Sequence, residues 1–190
     1  VVNSISRSLV VSPDGKTLYL GGFFTTVNGQ TRNRIAAINT ETGELITSFD
    51  PNSNGQIWDM ALSSDGLTLY IGGVFTTIGG QNRRYLAAIN TQTGEFPAFN
   101  PDVSGPVTSL ALSSDGLILY TAGSFNTVGG QARMSLAAIE TATGNPTSFN
   151  ANVTSFNRDI ALPSGDNSVI YISGVSSVGG QARSYLAGIN

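Results

Sequence analysis

The 190-residue chain contains no cysteine and no histidine, and Lys16 is its single lysine. The first two absences remove disulfides, thiol nucleophiles, thiolate or imidazole metal sites, and every dyad or triad that uses histidine as its base. Charge of either sign is scarce: charged residues make up 11%, against roughly 25% in an average soluble domain. The 12 acidic and 9 basic residues leave a net charge of -3, so there is no concentrated basic face to neutralise phosphates, and nucleic acid is not an expected partner. No apolar run reaches the roughly 18 residues of a membrane-spanning helix, so insertion by that route is not expected. Sustained helical periodicity with caps is missing as well.

What is present is hydrophobic, glycine-rich and repetitive. Hydrophobic residues are 40% of the chain and 23 residues are glycine. The segment LYLGGFFTTVNGQTRNRIAAINTETG from Leu18 returns from Leu69, again from Leu119, and in shortened form from Ile170. Taking one glutamine as marker, Gln30, Gln81, Gln131 and Gln181 are 51, 50 and 50 residues apart. A period near 50 predicts stacked supersecondary units, here spanning 3–51, 52–101, 102–151 and 152–190.

Each unit reads as four short strands. In the second copy these are Gln56–Ser63, Leu67–Gly73, Arg84–Asn90 and Glu95–Asn100, with Pro101–Gly105 as a polar connection. The first two strands flank Asp65-Gly66, repeated as Asp14-Gly15 and Asp115-Gly116 and replaced by Ser164-Gly165-Asp166-Asn167 in the fourth copy. Such turns favour hairpins because glycine supplies positive φ and aspartate bonds its own backbone. Large residues (Leu9, Met60, Leu110, Ile160) alternate with small ones (Ala61, Ala111, Ala161, with Val10 in the first copy), which predicts sheets that nest and bury both faces. The expected fold is all-β, a β-propeller of four-stranded antiparallel blades, with about four blades in this chain and the last one incomplete.

The string Tyr70, Gly72-Gly73, Phe75, Gly79-Gly80-Gln81, Arg83, Leu86–Asn90, Thr93-Gly94 and Phe99–Pro101 resembles the kelch-like, delta-sixty type β-propeller repeats of secreted bacterial proteins. The resemblance covers nearly the whole chain and implies an extracellular or cell-surface module with no catalytic residue. In the fourth copy one residue is lost and Val175-Ser176-Ser177 replaces the Phe-bearing loop, so a thinner loop is expected there. Val1 is not Met, and Leu186–Asn190 break off inside a strand-like run, so the sequence reads as a processed chain or a piece of a longer one. With fifteen strands counted, closure as four blades, as two chains completing one ring, or with further blades of a longer chain all remain open.

Two sets of polar residues bear on function. Gln30 with Arg32, Gln81 with Arg83, Gln131 with Arg133 and Gln181 with Arg183 recur in the loop between second and third strands. Recurrence in every copy points to pairing with loop backbone rather than to a ligand site. The positions that differ between copies are better ligand candidates: Arg7, Trp58, Thr108 and Arg158, followed by Ser8, Asp59, Ser109 and Asp159. Trp58 offers a stacking platform at a channel mouth, and Arg7, Arg158, Asp59 and Asp159 offer hydrogen bonds to a glycan or protein ligand. The Asp-Gly turns supply one carboxylate each, too few for calcium, and no cofactor or metal is expected. The sequence therefore predicts a non-enzymatic structural or adhesive module. Its alternatives are a carbohydrate- or protein-binding propeller near Trp58, a subunit that self-assembles through open first and last blades, and a polysaccharide-active enzyme using Asp59 and Asp159.

Overall fold

In the computed structural model, residues 1–154, 159–163, 165, 169–183 and 185–189 are described, and the chain divides into two compact units, Val1–Pro97 and Ala98–Asn190. The first unit holds two repeats. One contains β1 (Ser6–Val11), β2 (Thr17–Gly22), β3 (Thr26–Val27), β4 (Gln30–Thr31) and β5 (Ile35–Asn39). The next contains β6 (Ile57–Leu62), β7 (Thr68–Gly73), β8 (Thr77–Ile78), β9 (Gln81–Asn82) and β10 (Leu86–Asn90). The second unit repeats the plan with β11 (Val107–Leu112), β12 (Ile118–Gly123), β13 (Thr127–Val128), β14 (Gln131–Ala132) and β15 (Leu136–Glu140). It continues with β16 (Val153–Thr154), β17 (Asp159–Ala161), β18 (Ile170–Ser173), β19 (Ser177–Val178), β20 (Gln181–Ala182) and β21 (Leu186–Ile189). Every repeat is built on a three-stranded antiparallel sheet: β1-β2-β5, β6-β7-β10, β11-β12-β15 and β17-β18-β21. All described secondary structure is β, in blade-like groups.

The Asp-Gly turns form as expected. Gly66 takes φ +75°, and the Asp65 carboxylate accepts hydrogen bonds from Ser63 Oγ at 2.6 Å and the Leu67 N–H at 2.9 Å. The equivalent bonds close the turns at Asp14 and Asp115, whereas Ser164, Asp166 and Asn167 lie outside the described residues. The Ser63 hydroxyl and then the Leu67 N–H hold the Asp65 carboxyl below its ordinary value, and the corresponding partners do the same at Asp14 and Asp115.

The expected fourth strand is not formed. In the first and third repeats it shrinks to one bridge, Ile38 with Leu45 and Ile139 with Pro146. There the N–H groups of Ile46 and Thr147 donate to the carbonyls of Ala37 and Ala138, each at 2.8 Å. Pro97 occupies the matching place in the second repeat and has no N–H to give, so no bridge forms there and the Asn90 N–H donating to the Glu95 carbonyl at 2.8 Å is what remains of the pairing. The segment read as a loop instead holds a small hairpin, β3-β4 and its copies β8-β9, β13-β14 and β19-β20. In the first repeat Asn28 and Gly29 both take positive φ, as a two-residue primed turn requires. The one-residue loss in the fourth copy leaves its hairpin intact, and Val175, 2% exposed, stands where Phe24, Phe75 and Phe125 are buried.

Burial of both faces of every sheet is also corrected. Within the first unit, Tyr19, Ile35, Ala37 and Phe49 pack against Met60, Leu69, Ile71 and Ile89. Within the second, Ala122 and Leu136, with Tyr120 and Phe149, pack against Ile160, Ile170, Ile172 and Ala187. The other face of β1, however, leaves Leu9 59% and Val11 54% exposed. On the sheet of β18 and β21, Tyr171 is 46% and Leu186 63% exposed. An alternation of large and small side chains reads identically whether or not a second sheet lies against it.

Candidate functional site

The residues that vary between copies occupy a specific backbone feature. The ladder between β6 and β7 pairs Ile57 with Gly73 and then Asp59 with Gly72, so Trp58 is the extra residue of a bulge. Arg7 on β1 and Thr108 on β11 hold the same place. The cause lies on the partner strand: a Cβ on Gly73 would fall 2.1 Å from the carbonyl oxygen of Gln56, so only glycine permits this approach. A bulge re-aims the side chain it carries. In the first unit it brings the Arg7 guanidinium to 5.0 Å from the centroid of the half-buried Trp58 ring, a cation-π contact. The indole N–H donates to Gln56 Oε1 at 3.2 Å. In the second unit Thr108 is buried, its hydroxyl donating to the Ala122 carbonyl at 3.1 Å, and Arg158 lies outside the described residues.

Beside the bulges, serine and aspartate join neighbouring sheets. Ser8 Oγ donates to Asp59 Oδ1 at 3.1 Å, and the Met60 N–H donates to both Asp59 Oδ1 (2.8 Å) and Ser8 Oγ (3.1 Å). Ser109 and Asp159 repeat the triangle at 3.0 Å, with the Ile160 N–H donating to Asp159 Oδ1 at 2.9 Å and to Ser109 Oγ at 3.2 Å. Asp59 and Asp159 are therefore each tied to a serine and a backbone amide of their own unit. Sequence reasoning aligned these four positions without seeing the bond; the signal was the alternation Ser8, Asp59, Ser109, Asp159.

The recurring arginines reach back to the chain segment that follows the third strand. Arg32 Nη2 donates to the Thr47 carbonyl at 3.1 Å, Arg83 Nη2 to the Pro97 carbonyl at 3.0 Å, and Arg133 Nη2 to the Thr147 carbonyl at 2.5 Å. These three side chains are at least 91% buried. Arg32 also lies 3.5 Å from Asp50. Gln81 Oε1 and Gln131 Oε1 accept from Arg83 and Arg133, both at 3.1 Å, and Gln30, Gln81, Gln131 and Gln181 are all exposed. Arg183 is exposed and donates to the Ala182 carbonyl at 3.2 Å. Burial lowers the pKa of Arg83 from its ordinary value.

Sequence reasoning also missed a cleft of about 370 Å³ in the first unit, lined by Asp14, Tyr19, Phe49, Asp65 and Thr91 among others. Tyr19 and Phe49 meet edge to face at 5.3 Å, and burial pushes the Tyr19 phenol up. Both carboxylates of this cleft already serve their own turns. Among the described residues no group of three or more carboxylates is placed to hold a metal ion.

Comparison with known proteins bears on the fold. The family described as the Rax2 C-terminal beta propeller domain matches residues 41–190. A second, a beta-propeller domain of unknown function (DUF5122), matches residues 12–49. Neither description names the delta-sixty or kelch type. Among solved structures the chain is similar to Kuenenia stuttgartiensis hydrazine synthase, with a TM-score of 0.58 and 16% identity over 88% of this chain. It spans 41% of that neighbour's length, and at this identity the likeness concerns the β-propeller fold alone. No curated protein matches the chain.

Proposed function

The chain belongs to the family of Rax2 C-terminal β-propeller domains, and from that premise we propose that it is a non-enzymatic, extracellular module of kelch-like, delta-sixty type repeats, serving as a structural or adhesive part of a surface or secreted protein. One observation carries the reading. The side chains best equipped for chemistry hold the fold together: Asp59 and Asp159 bind serines of the neighbouring sheet, and Arg32, Arg83 and Arg133 bind backbone carbonyls. A carboxylate that accepts from a hydroxyl and an amide is already positioned as a structural acceptor, and paired glycosidase acids need one group able to carry the proton. The low charge and the absence of cysteine and histidine support the same reading.

The test is retention without turnover. The labelled chain is passed over immobilised polysaccharides and cell-surface preparations while released sugars and peptides are assayed. Retention with no product is expected. Hydrolysis that disappears in Asp59→Asn overturns the non-enzymatic reading, and failure to be retained on any surface overturns the adhesive one.

The pairing of Arg7 with Trp58 favours a second reading, a ligand site for a glycan or protein in the first unit. An indole face with a cation and hydrogen-bonding groups close by offers both stacking and polar recognition. In that case Trp58→Ala abolishes retention while far-UV circular dichroism stays unchanged; retention that survives the substitution removes the site from consideration.

A further inference from the structure

Two of the recurring arginines bracket a hollow of about 520 Å³ that lies wholly within the first unit. Its wall is built from Asp50 and Pro51 of the segment joining the first repeat to the second, Gly79 and Gln81 of the β8-β9 hairpin, and Glu95 and Phe96 beyond β10. Arg32, 7% exposed, lies 3.5 Å from Asp50 Oδ2. Arg83, 9% exposed, donates to Gln81 Oε1 at 3.1 Å and lies 5.9 Å from the centroid of the Phe96 ring. Two buried guanidiniums therefore position three of the side chains that line the hollow.

The frame of this hollow recurs, and its chemistry does not. The Gly79 N–H donates to the Pro51 carbonyl at 2.5 Å, as the Gly129 N–H does to the Pro101 carbonyl at 2.8 Å. Around that common bond the third repeat carries Asn100, Asn145 and Pro146 in the places of Asp50, Glu95 and Phe96. The first repeat has Asn28 and Leu45 where the second has Gly79 and Phe96. This last exchange is concerted: a Cβ on Gly79 would fall 2.2 Å from Phe96 Cε2, so the glycine gives the ring its place. Side chains that change on a constant frame are the part of a repeat that can serve a ligand.

The donors and acceptors specify what fits. With Gln81 Oε1 turned to Arg83, the amide nitrogen keeps two donors for a ligand. Asp50 and Glu95 offer acceptors only, and Phe96 adds an apolar surface. Two carboxylates set against two guanidiniums leave these groups with no net charge. The matching ligand is neutral, with hydroxyls that donate and accept side by side and C–H groups between them. We propose that the hollow binds one neutral pyranose unit of a glycan, whose hydroxyls donate to Asp50 and Glu95 and accept from Gln81. Its size falls in the range of small-molecule sites, about 300–1,000 Å³. The site is separate from the pair of Arg7 and Trp58, and it concerns binding of a sugar in solution rather than retention on a surface.

The test is saturation-transfer NMR on the 190-residue chain with the methyl glycosides of glucose, galactose, mannose and N-acetylglucosamine, beside glucosamine and glucuronate as charged counterparts. Transfer to at least one neutral glycoside, and to neither charged sugar, is expected. Asp50→Asn with Glu95→Asn gives the hollow the amides of the third repeat, and Gln81→Ala removes its donor. All three positions are exposed, and circular dichroism checks that the variants fold. The double variant should bind about tenfold more weakly or worse, since one hydrogen bond to a charged group is worth at least that. Gln81→Ala should weaken binding as well, and Trp58→Ala should leave it unchanged. Absence of transfer to every neutral glycoside, a preference for glucosamine or glucuronate, binding untouched by the double variant or by Gln81→Ala, or binding lost with Trp58→Ala overturns the proposal. Retention on a surface without such transfer sinks this site and leaves the adhesive reading standing.

Discussion

Arg83→Ala should destabilise the first unit by about 2–4 kcal/mol. The figure follows from what the guanidinium holds. Its Nη2 donates to Gln81 Oε1 at 3.1 Å and to the Pro97 carbonyl at 3.0 Å, and hydrogen bonds to charged groups contribute roughly 1.5–3 kcal/mol each. Gln81 and Pro97 are both exposed, so water partly replaces both bonds and their sum falls to about 1.5–3 kcal/mol. The charge also lies 5.9 Å from the centroid of Phe96, and the lost cation-π contact and stem packing add about 0.5–1 kcal/mol. The assay is urea unfolding followed by fluorescence of Trp58, the single tryptophan, which reports on the same unit. Arg83→Lys should recover little, because a point charge cannot serve both acceptors with a planar fork. Arg183→Ala is the control: its side chain is exposed with one 3.2 Å bond to a neighbouring carbonyl, and surface substitutions of that kind change stability by about 0.5 kcal/mol or less. If Arg83→Ala shifts the midpoint no more than a surface substitution does, the arginines are not clamps, and their recurrence needs another explanation.

Two further outcomes are expected. Asp14, Asp65 and Asp115 have carboxyl groups held below their ordinary value of 3.8, so their contribution is fully present above that pH and is lost as pH falls through the depressed folded values. Melting temperature should therefore drop as the pH is taken below the ordinary carboxyl value, and the combined Ser12→Ala, Ser63→Ala and Ser113→Ala variant should melt lower above that pH with a flatter acid limb; an unchanged acid limb would refute this. Phe75→Ala, at a position 0% exposed, should destabilise by about 3–5 kcal/mol, and Phe75→Val should recover part of that, since Val175 fills the same place in the fourth repeat; denaturant titration decides it.

Much of the blade was legible because its signals are local. The Asp-Gly turns at Asp14, Asp65 and Asp115 and the alternation around Ala61 mark the first hairpin of each sheet. The fourth strand was misread because apolar content alone suggested it, whereas the pairing stops after one bridge at Leu45 and Pro146, and in the second repeat Pro97 has no N–H to donate. The hairpins at Gln30 and Gln81 escaped because two-residue strands carry no measurable period, although Asn28-Gly29 and Gly79-Gly80 are suitable turns. At the candidate site the alignment found Arg7, Trp58, Asp59 and Ser8. It did not find the bulge that brings Arg7 over Trp58, because that depends on how closely Gly73 approaches the Gln56 carbonyl, a distance in space with no trace in the pattern.

The alternation of serine and aspartate at positions 8, 59, 109 and 159 gives the chain a parity. Within either unit, a serine in place of the aspartate would leave two hydroxyls facing a backbone amide with no carboxylate between them, and an aspartate in place of the serine would set two like charges at one amide. Each unit therefore carries one complete set of hydroxyl, carboxylate and amide, and it is the pair of sheets, not the single sheet, that leaves none of these groups unmatched.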